Sequence, residues 1–183
     1  AQSGSDAVLK RMARRNRVAG FEALVGAARA AIPDLVVTTD IIVGFPGETA
    51  DDFEESVSFA ERMRFAHMHV FPYSARQGTA AARFAGQIPE AERKERARRL
   101  IEVDAALGQA VRQSFLGDTR PVLWEDRVSE RDLVRLARLT TLPAEDVEIW
   151  SGLTDNYIRV LTAAPRGRDL HNTITPVRLA RLL

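Results

Sequence analysis

The 183-residue sequence contains no cysteine, which excludes disulfides and thiolate-bound zinc or iron within this chain. No apolar run approaches the roughly 20 residues that a membrane-spanning helix needs. Residues 1–6 are polar and begin without methionine, which is consistent with a fragment or a processed chain. Because this opening does not resemble a secretory signal, we expect a cytoplasmic protein.

Net charge is also small, since 26 Lys and Arg residues face 25 Asp and Glu residues. Overall charge therefore does not indicate a nucleic-acid-binding protein, although two basic runs stand out. The first run consists of Lys10, Arg11, Arg14, Arg15 and Arg17. The second consists of Arg93, Lys94, Arg96, Arg98 and Arg99. Glutamates interleave with this second run, and spacings such as Glu92–Arg96 and Glu95–Arg99 predict i,i+4 pairs on a solvated helix face.

The first part of the chain alternates helical and strand patterns. Apolar spacing predicts helices over 5–12 and 19–32. A β-branched run predicts a strand over 35–43, buried on both faces as in a parallel sheet. A capping pattern at Thr49 starts the next helix, and a further strand over 68–71 completes a βαβ unit. The predicted fold class is therefore α/β.

The second part has a different texture. A long helix is predicted from about residue 90 to 115, ended by Gly117. Four strands are then predicted over 119–126, 146–150, 156–162 and 173–182. This spacing predicts a small antiparallel β-barrel, with a short helix inserted near 129–140.

Three short motifs each lie beside a predicted strand end. They are Gln2-Ser3-Gly4-Ser5-Asp6, the segment 39–49 that contains Gly44-Phe45-Pro46-Gly47, and the segment 71–79 that contains Tyr73-Ser74. Ligands of parallel α/β folds bind at the carboxyl ends of strands, where glycines allow close backbone approach. Each motif also has a simpler interpretation, as a helix cap, a tight turn or a strand end.

These motifs, together with Val8-Leu9-Lys10-Arg11-Met12, closely resemble the second half of the radical-SAM domain in methylthiotransferases. The similarity continues to Gly117 and then into a segment that resembles the TRAM domain, an RNA-binding β-barrel. It is weakest over 127–147. The segments 69–74 and 152–160 look most like the branch that modifies N6-threonylcarbamoyladenosine at position 37 of tRNA.

The resemblance implies the C-terminal half of a radical-SAM partial (β/α) barrel followed by a TRAM-like barrel. The domains expected from it are 1–88, a connecting helix over 89–117, and 118–183. It further implies S-adenosylmethionine and a [4Fe–4S] cluster, with methylthio transfer to C2 of the modified adenine. The cluster cysteines of this family lie upstream of the matching part. We therefore expect this chain to be inactive alone, and the missing half of the barrel or another chain to cover it.

The family's cofactor pocket maps onto a defined set of residues. Those expected to contact S-adenosylmethionine are Gln2, Ser3, Ile42, Val43, Gly44, Phe45, Glu48, Tyr73 and Ser74. For Glu48, an alternative is a plain acidic residue at the start of a helix.

The residues expected to contact tRNA lie in the second part. They are Asn156, Tyr157, Arg159, Arg166 and Arg168, with His171 as a possible extension. Strand alternation predicts that Tyr157 and Arg159 share one face, where the ring stacks on a base and the guanidinium meets a phosphate. The three histidines His67, His69 and His171 show no metal-binding spacing.

Three alternatives remain open at this stage. In the first, the chain is an RNA-binding module without catalysis. In the second, it is a plain α/β structural domain. In the third, it belongs to the isopentenyladenosine or ribosomal-protein branch of the methylthiotransferases. Binding of tRNA without binding of S-adenosylmethionine would favour the first, and binding of neither ligand the second.

Overall fold

The computed structural model describes residues 1–138 and 146–182 and divides the chain into two compact units, Ala1–Val111 and Arg112–Leu183. The mixed α/β class expected from the sequence is confirmed, whereas the division at residues 88 and 117 and the TRAM-like assignment stay predictions. Residues 139–145, the first two of which belong to the expected insertion near 129–140, lie outside the described part. Among the described helices, none combines the length and apolarity that crossing a membrane requires.

The first unit contains the predicted βαβ arrangement. Its elements are α1 (Asp6–Arg11), α2 (Val18–Ala31), β1 (Thr38–Val43), α3 (Ala50–Met63), β2 (His67–Pro72), a short 3-10 helix (Ala81–Arg83) and α4 (Glu90–Ser114), whose last residues enter the second unit. Strand β1 pairs with β2 in parallel, from Thr38 opposite His67 to Val43 opposite Pro72. Both carboxyl ends therefore meet at one edge of the sheet.

Helix α3 begins where the sequence indicated. The Thr49 hydroxyl accepts a hydrogen bond from the Asp52 amide at 3.1 Å, and the Asp52 carboxylate accepts one from the Thr49 amide at 2.9 Å. This reciprocal capping box satisfies two amides that the first helical turn leaves unpaired. It fixes the point at which the chain leaves the β1 turn and enters the helix.

The prediction that the first strand is buried on both faces is wrong. Ile41 and Val43 belong to the core, together with residues of α2, α3, β2 and α4. Thr38 and Asp40 are exposed on the opposite face, and Phe71 of β2 remains 50% exposed there. Successive side chains of a strand point to opposite faces, and in this unit the helices contribute to the core on one face only.

The expected solvated face of α4 is only partly solvated. The Glu92–Arg96 pair forms, but Arg96 is buried and also bonds Glu48. The predicted Glu95–Arg99 pair is wrong, because Arg99 forms an ion pair with Glu54 of α3. Local spacing identifies which charges are within reach along one helix, whereas packing against α3 decides which partner is used.

The second unit is built on a four-stranded antiparallel sheet. Its elements are β3 (Thr119–Arg127), α5 (Glu130–Leu136), β4 (Val147–Thr154), β5 (Arg159–Pro165) and β6 (Ile174–Arg178), and the strand order is β5-β4-β3-β6. A register shift between Trp124 and Asp126 interrupts the β3–β4 pairing. Helix α5 falls within the predicted insertion and is capped by Ser129.

A small apolar cluster supports this sheet. Its buried members are Val122, Trp124, Trp150, Ala164 and Leu170. The Trp124 indole donates a hydrogen bond to the Thr175 hydroxyl at 2.8 Å, so the ring is buried with its polar atom satisfied.

The predicted strand over 156–162 begins too early. Strand β5 starts at Arg159, and Tyr157 lies in the preceding turn with φ of 64°. The Thr154 amide bonds the Ile158 carbonyl at 3.0 Å, which closes this turn. The expectation that Tyr157 and Arg159 share a strand face is therefore wrong, since alternation does not extend through a left-handed residue.

Candidate cofactor site and RNA surface

The segments expected to form the cofactor site meet at the carboxyl edge of the β1–β2 sheet. The Tyr73 amide donates to the Val43 carbonyl at 2.8 Å, which extends the pairing of the two strands by one residue. Beyond it, the Phe45 and Tyr73 rings contact edge to face, with 5.2 Å between their centroids. Folding therefore brings together two motifs that are about 28 residues apart in the sequence.

Gly44 makes the turn after β1 possible. Its φ of 71° lies in the left-handed region, which favours glycine. A β-carbon at this position would also overlap Cγ of Arg93, a residue of α4. The Arg93 guanidinium donates to the Tyr73 carbonyl, so it lies against both segments of the site.

Glu48 holds this turn from inside the protein. Its carboxylate accepts the Gly44 amide at 2.8 Å and the Arg96 guanidinium at 2.6 Å. Glu48 is only 3% exposed and Arg96 only 7%. Burial raises the pKa of the Glu48 carboxyl above its ordinary value of 4.5, against the opposing effect of the Gly44 amide and Arg96. The carboxylate thus connects the β1 turn to α4, and its contact with a cofactor stays a prediction.

Ser3 is buried in the protein interior and is hydrogen-bonded there. Its hydroxyl lies 3.2 Å from that of Ser56 on α3, and it accepts the Ser5 amide at 3.1 Å. Gln2 is half-buried, and its carbonyl accepts the Ile42 amide at 3.0 Å beside β1. The first motif therefore lies along β1 and against α3. Its contact with a cofactor stays a prediction.

Asp52 joins this motif to the capping box. It accepts the Ser5 hydroxyl at 2.6 Å and the Arg11 guanidinium at 2.9 Å. Burial alone would raise the pKa of Asp52, but hydrogen bonds from Ser5 and Thr49 together with the Arg11 charge outweigh it and lower the pKa. Asp52 is therefore held as a carboxylate by its neighbours.

The residues at this edge fit an adenine-containing cofactor. Ile42 is half-buried, Ser74 is exposed, and the Gly44–Phe45 turn combines a small residue with an aromatic ring. The Tyr73 hydroxyl is buried without a hydrogen-bond partner in the part of the chain that the structure describes. An unpaired polar atom beside an apolar turn suits a flat heterocycle with polar edges. For an iron–sulfur cluster the chain offers no cysteine thiolate.

The expected RNA-contacting residues separate into two groups. Tyr157 is 82% exposed at the β4–β5 turn, and Asn156 accepts the Thr154 hydroxyl at 2.6 Å beside it. Arg159 forms an ion pair with Glu125 and donates to the Ser151 hydroxyl at 3.2 Å. The tyrosine ring is thus available for stacking, whereas the Arg159 guanidinium is already partly neutralised.

Arg166 and Arg168 lie in the loop that follows β5. Both are exposed, and neither side chain forms an ion pair within residues 1–138 and 146–182. The ring of His171 contacts the Glu125 carbonyl, while His67 pairs with Asp104 in the first unit, 2.9 Å apart. The RNA-contacting role of all these residues stays a prediction.

Three residues important to the first site escaped the sequence-based assignment. The sequence pattern predicts Arg93 and Arg96 on a solvated helix face and Asp52 only in a helix cap. No local spacing connects α4 to the β1 turn, because Arg96 and Glu48 are 48 residues apart. The apolar residues Ala97 and Leu100, in and just after the second basic run, indicate that one face of this helix is buried, and the structure places both in the core.

Known proteins resemble this chain over the segments described above. Residues 1–60 match the Radical SAM superfamily. A threonylcarbamoyladenosine tRNA methylthiotransferase of Bacillus subtilis is 36% identical over 160 residues, which are 87% of this chain and 33% of the relative. Its counterpart in Thermotoga maritima is 44% identical over 124 residues, 68% of this chain and 29% of the relative.

The other branch is represented as well. A tRNA-2-methylthio-N(6)-dimethylallyladenosine synthase of Symbiobacterium thermophilum is 37% identical over 180 residues, 98% of this chain and 35% of the relative. The fold and these matches define a radical-SAM protein. More narrowly, the chain belongs to the radical-SAM tRNA methylthiotransferase family. It spans about a third of the length of these curated relatives.

Proposed function

We propose that this chain is part of a tRNA methylthiotransferase that adds a methylthio group to C2 of N6-threonylcarbamoyladenosine at position 37. The observation that carries the proposal is the joined edge of β1 and β2. There the Val43-Gly44-Phe45 turn meets Tyr73 and is held by the Glu48–Arg96 ion pair. This edge is where a parallel α/β fold binds its ligand.

S-adenosylmethionine is the cofactor that the family implies, and when bound it supplies radical and methyl-transfer chemistry. Ile42 and Phe45 would provide apolar contact to the adenine, and the Tyr73 hydroxyl a polar one. Val43, whose side chain lies in the core, would offer only its backbone. Glu48 and Arg96 act indirectly, because they are buried and hold the turn in place. Tyr73 and Ser74 extend the same edge from β2.

The choice of substrate rests on sequence likeness. The two threonylcarbamoyladenosine enzymes among the relatives favour that nucleoside, and the segments 69–74 and 152–160 resemble the same branch. The dimethylallyladenosine enzymes match with comparable identity and over as much as 98% of this chain. The second candidate substrate is therefore the isopentenyl-type adenosine.

The exposed face of the β1–β2 sheet supports a role for a further part of the protein. Asp40, His69 and Phe71 lie on this face, opposite the core. An uncovered strand face with an exposed phenylalanine suits coverage by other strands or by substrate. We propose that an upstream half of the barrel covers it and brings the cluster cysteines, and that this chain is inactive without that half.

Cofactor binding can be tested with the chain's two tyrosines. Calorimetric titration with S-adenosylmethionine should show binding that Tyr73→Phe weakens, because the variant removes the unpartnered buried hydroxyl. Tyr157→Phe, an equal change on the second unit, should bind as the unaltered chain does. Binding of tRNA without any binding of S-adenosylmethionine would instead support a non-catalytic RNA-binding module.

The substrate can be tested in the source organism. Deleting the gene should remove 2-methylthio-N6-threonylcarbamoyladenosine from total tRNA, measured by mass spectrometry of the nucleosides. Loss of the methylthio isopentenyl-type nucleoside would assign the protein to the other branch. Loss of neither nucleoside would contradict the tRNA methylthiotransferase proposal.

A further inference from the structure

The first unit carries a basic loop that the cofactor site does not use. Residues 10–17 contain five Lys or Arg residues and no acidic residue. Lys10, Arg14 and Arg15 are exposed, and none of these three side chains forms an ion pair in the described part of the chain. Unpaired cations at this density form a local positive surface although the chain's net charge is only +1.

The backbone of this loop is fixed by hydrogen bonds. The Arg14 amide donates to the Leu9 carbonyl at 2.9 Å and the Ala13 amide to the Lys10 carbonyl at 3.0 Å. With Ala13 at φ of 55°, this pair of bonds is a Schellman motif at the end of α1. The backbone that presents Arg14 and Arg15 is therefore ordered by the protein itself, which lowers the entropy cost of binding a ligand.

The loop is attached to the candidate cofactor edge. Arg11 bonds Asp52 at 2.9 Å, and its guanidinium lies beside Gly47 in the turn that follows β1. The segment that carries the cations is therefore tethered through Arg11 to the turn that follows β1. If the target base reaches this edge as part of a polynucleotide, the phosphates next to that base would lie beside the loop.

We propose that the loop of residues 10–17 binds the phosphate backbone of the tRNA substrate beside the cofactor edge, as an RNA contact separate from that of the second unit. The proposal rests on the function proposed above. Arg14 and Arg15 supply point charges to phosphates, and the base is selected elsewhere. Arg11 does not join them, because its guanidinium is paired with Asp52.

Salt-dependent tRNA binding tests the proposal directly. The full chain and its Arg14→Gln/Arg15→Gln variant are titrated against unmodified tRNA transcript over a series of salt concentrations. Two lost phosphate contacts should reduce the slope of log K against log salt by about 1.4 to 1.8 and the affinity on the order of tenfold. Arg14→Lys/Arg15→Lys should retain the slope, because it retains both charges.

The matched control is Arg62→Gln/Arg98→Gln, which removes the same charge from exposed residues that are ion-paired with Glu22 and with Glu95 and Glu102. Its slope should stay that of the unaltered chain. If the unaltered chain binds and the loop variant keeps the full slope, this inference is overturned while the proposed function stands. If the unaltered chain does not bind tRNA, the proposed tRNA interaction itself fails. Unchanged circular dichroism of the variants shows that the fold is intact.

Discussion

The two units of this chain use charge in different ways. In the first unit, charged and polar groups lie inside the fold, where Glu48 and Arg96 are nearly buried and Asp52 accepts bonds from Ser5 and Arg11. In the second unit, pairs such as Arg127–Glu148 and Arg159–Glu125 lie at the surface of the sheet. Surface pairs contribute little to stability, whereas buried ones are costly to break.

The apolar cores of the two units also differ, in size and in the number of elements that supply their residues. The core of the first unit collects residues from two strands, three helices and the turn between α3 and β2, including Phe53 and Phe59 of α3 and Phe65 of the turn. In the described part of the second unit, the apolar cluster beneath the sheet has five buried members, two of them tryptophans. Buried ion pairs and carboxylates are therefore found in the first unit, whereas the ion pairs of the second unit lie at the surface and its buried polar side chain, among the described residues, is the neutral Thr154. This comparison can be tested by damaging each unit separately.

The largest effect is expected from the small core of the second unit. Trp124 is 1% exposed, and Trp124→Ala should cost about 3–5 kcal/mol, because it leaves a cavity and strands the Thr175 hydroxyl. Hydrogen exchange should quicken in β3, β4 and β6 while α3 stays protected. Leu123→Ala, on the exposed side of the same strand, should change little. Equal loss of protection in α3 would show that the units do not unfold separately.

An effect of similar size is expected from the buried ion pair of the first unit. Arg96→Met leaves the Glu48 carboxylate buried without its counter-ion and should cost about 3–5 kcal/mol in urea unfolding. Arg98→Met, on the exposed face of the same helix, should leave stability nearly unchanged. The double change Arg96→Met/Glu48→Gln should recover part of the loss, since no buried charge remains.

The pH dependence of the Arg96→Met variant sharpens this test. In the folded chain the pKa of Glu48 lies above 4.5, its ordinary value. Between pH 4.5 and the folded pKa, the folded state therefore binds more protons than the unfolded state. The stability that the raised pKa of Glu48 contributes is therefore fully present below pH 4.5 and is lost as pH rises through the folded pKa. Arg96→Met should regain stability as pH falls from 7 toward 5, and adding Glu48→Gln should abolish that recovery.

A smaller effect separates two glycines with the same backbone requirement. Gly44 has φ of 71° and Gly167 in the second unit has φ of 84°. Gly167→Ala should cost about 1 kcal/mol from the left-handed backbone alone. Gly44→Ala should cost about 2–3 kcal/mol, because its β-carbon also overlaps Arg93. Equal unfolding midpoints for the two variants would show that Arg93 moves aside freely.

The smallest effect is a gain in stability. Ala13 has a left-handed backbone at the end of α1, so Ala13→Gly should raise the free energy of unfolding by at most about 1 kcal/mol, and with it the midpoint of thermal unfolding. Asn172→Gly in the second unit, at φ of 56°, should gain less because asparagine tolerates this conformation. A loss of stability in Ala13→Gly would mean that the added flexibility of the unfolded chain dominates.

Most elements could be predicted because their patterns are local. The capping residues at Thr49, the β-branched run before Gly44 and the stripe of the long helix each determine a helix or strand from neighbours in sequence. The start of β5 was missed because a turn at Tyr157 interrupts the alternation. The site was anticipated only as separate motifs, and Arg93 and Arg96 were absent from it.

The family likeness, the lack of cysteine in this chain and the order of helices and strands follow from the sequence alone. Tertiary structure alone decided that Glu48 pairs with Arg96, that Arg99 turns to Glu54 and that Ser3 is enclosed against α3. The physical reason is that burial and ion pairing depend on distance in space. Partners 45 or more residues apart along the chain leave no periodic pattern in the sequence.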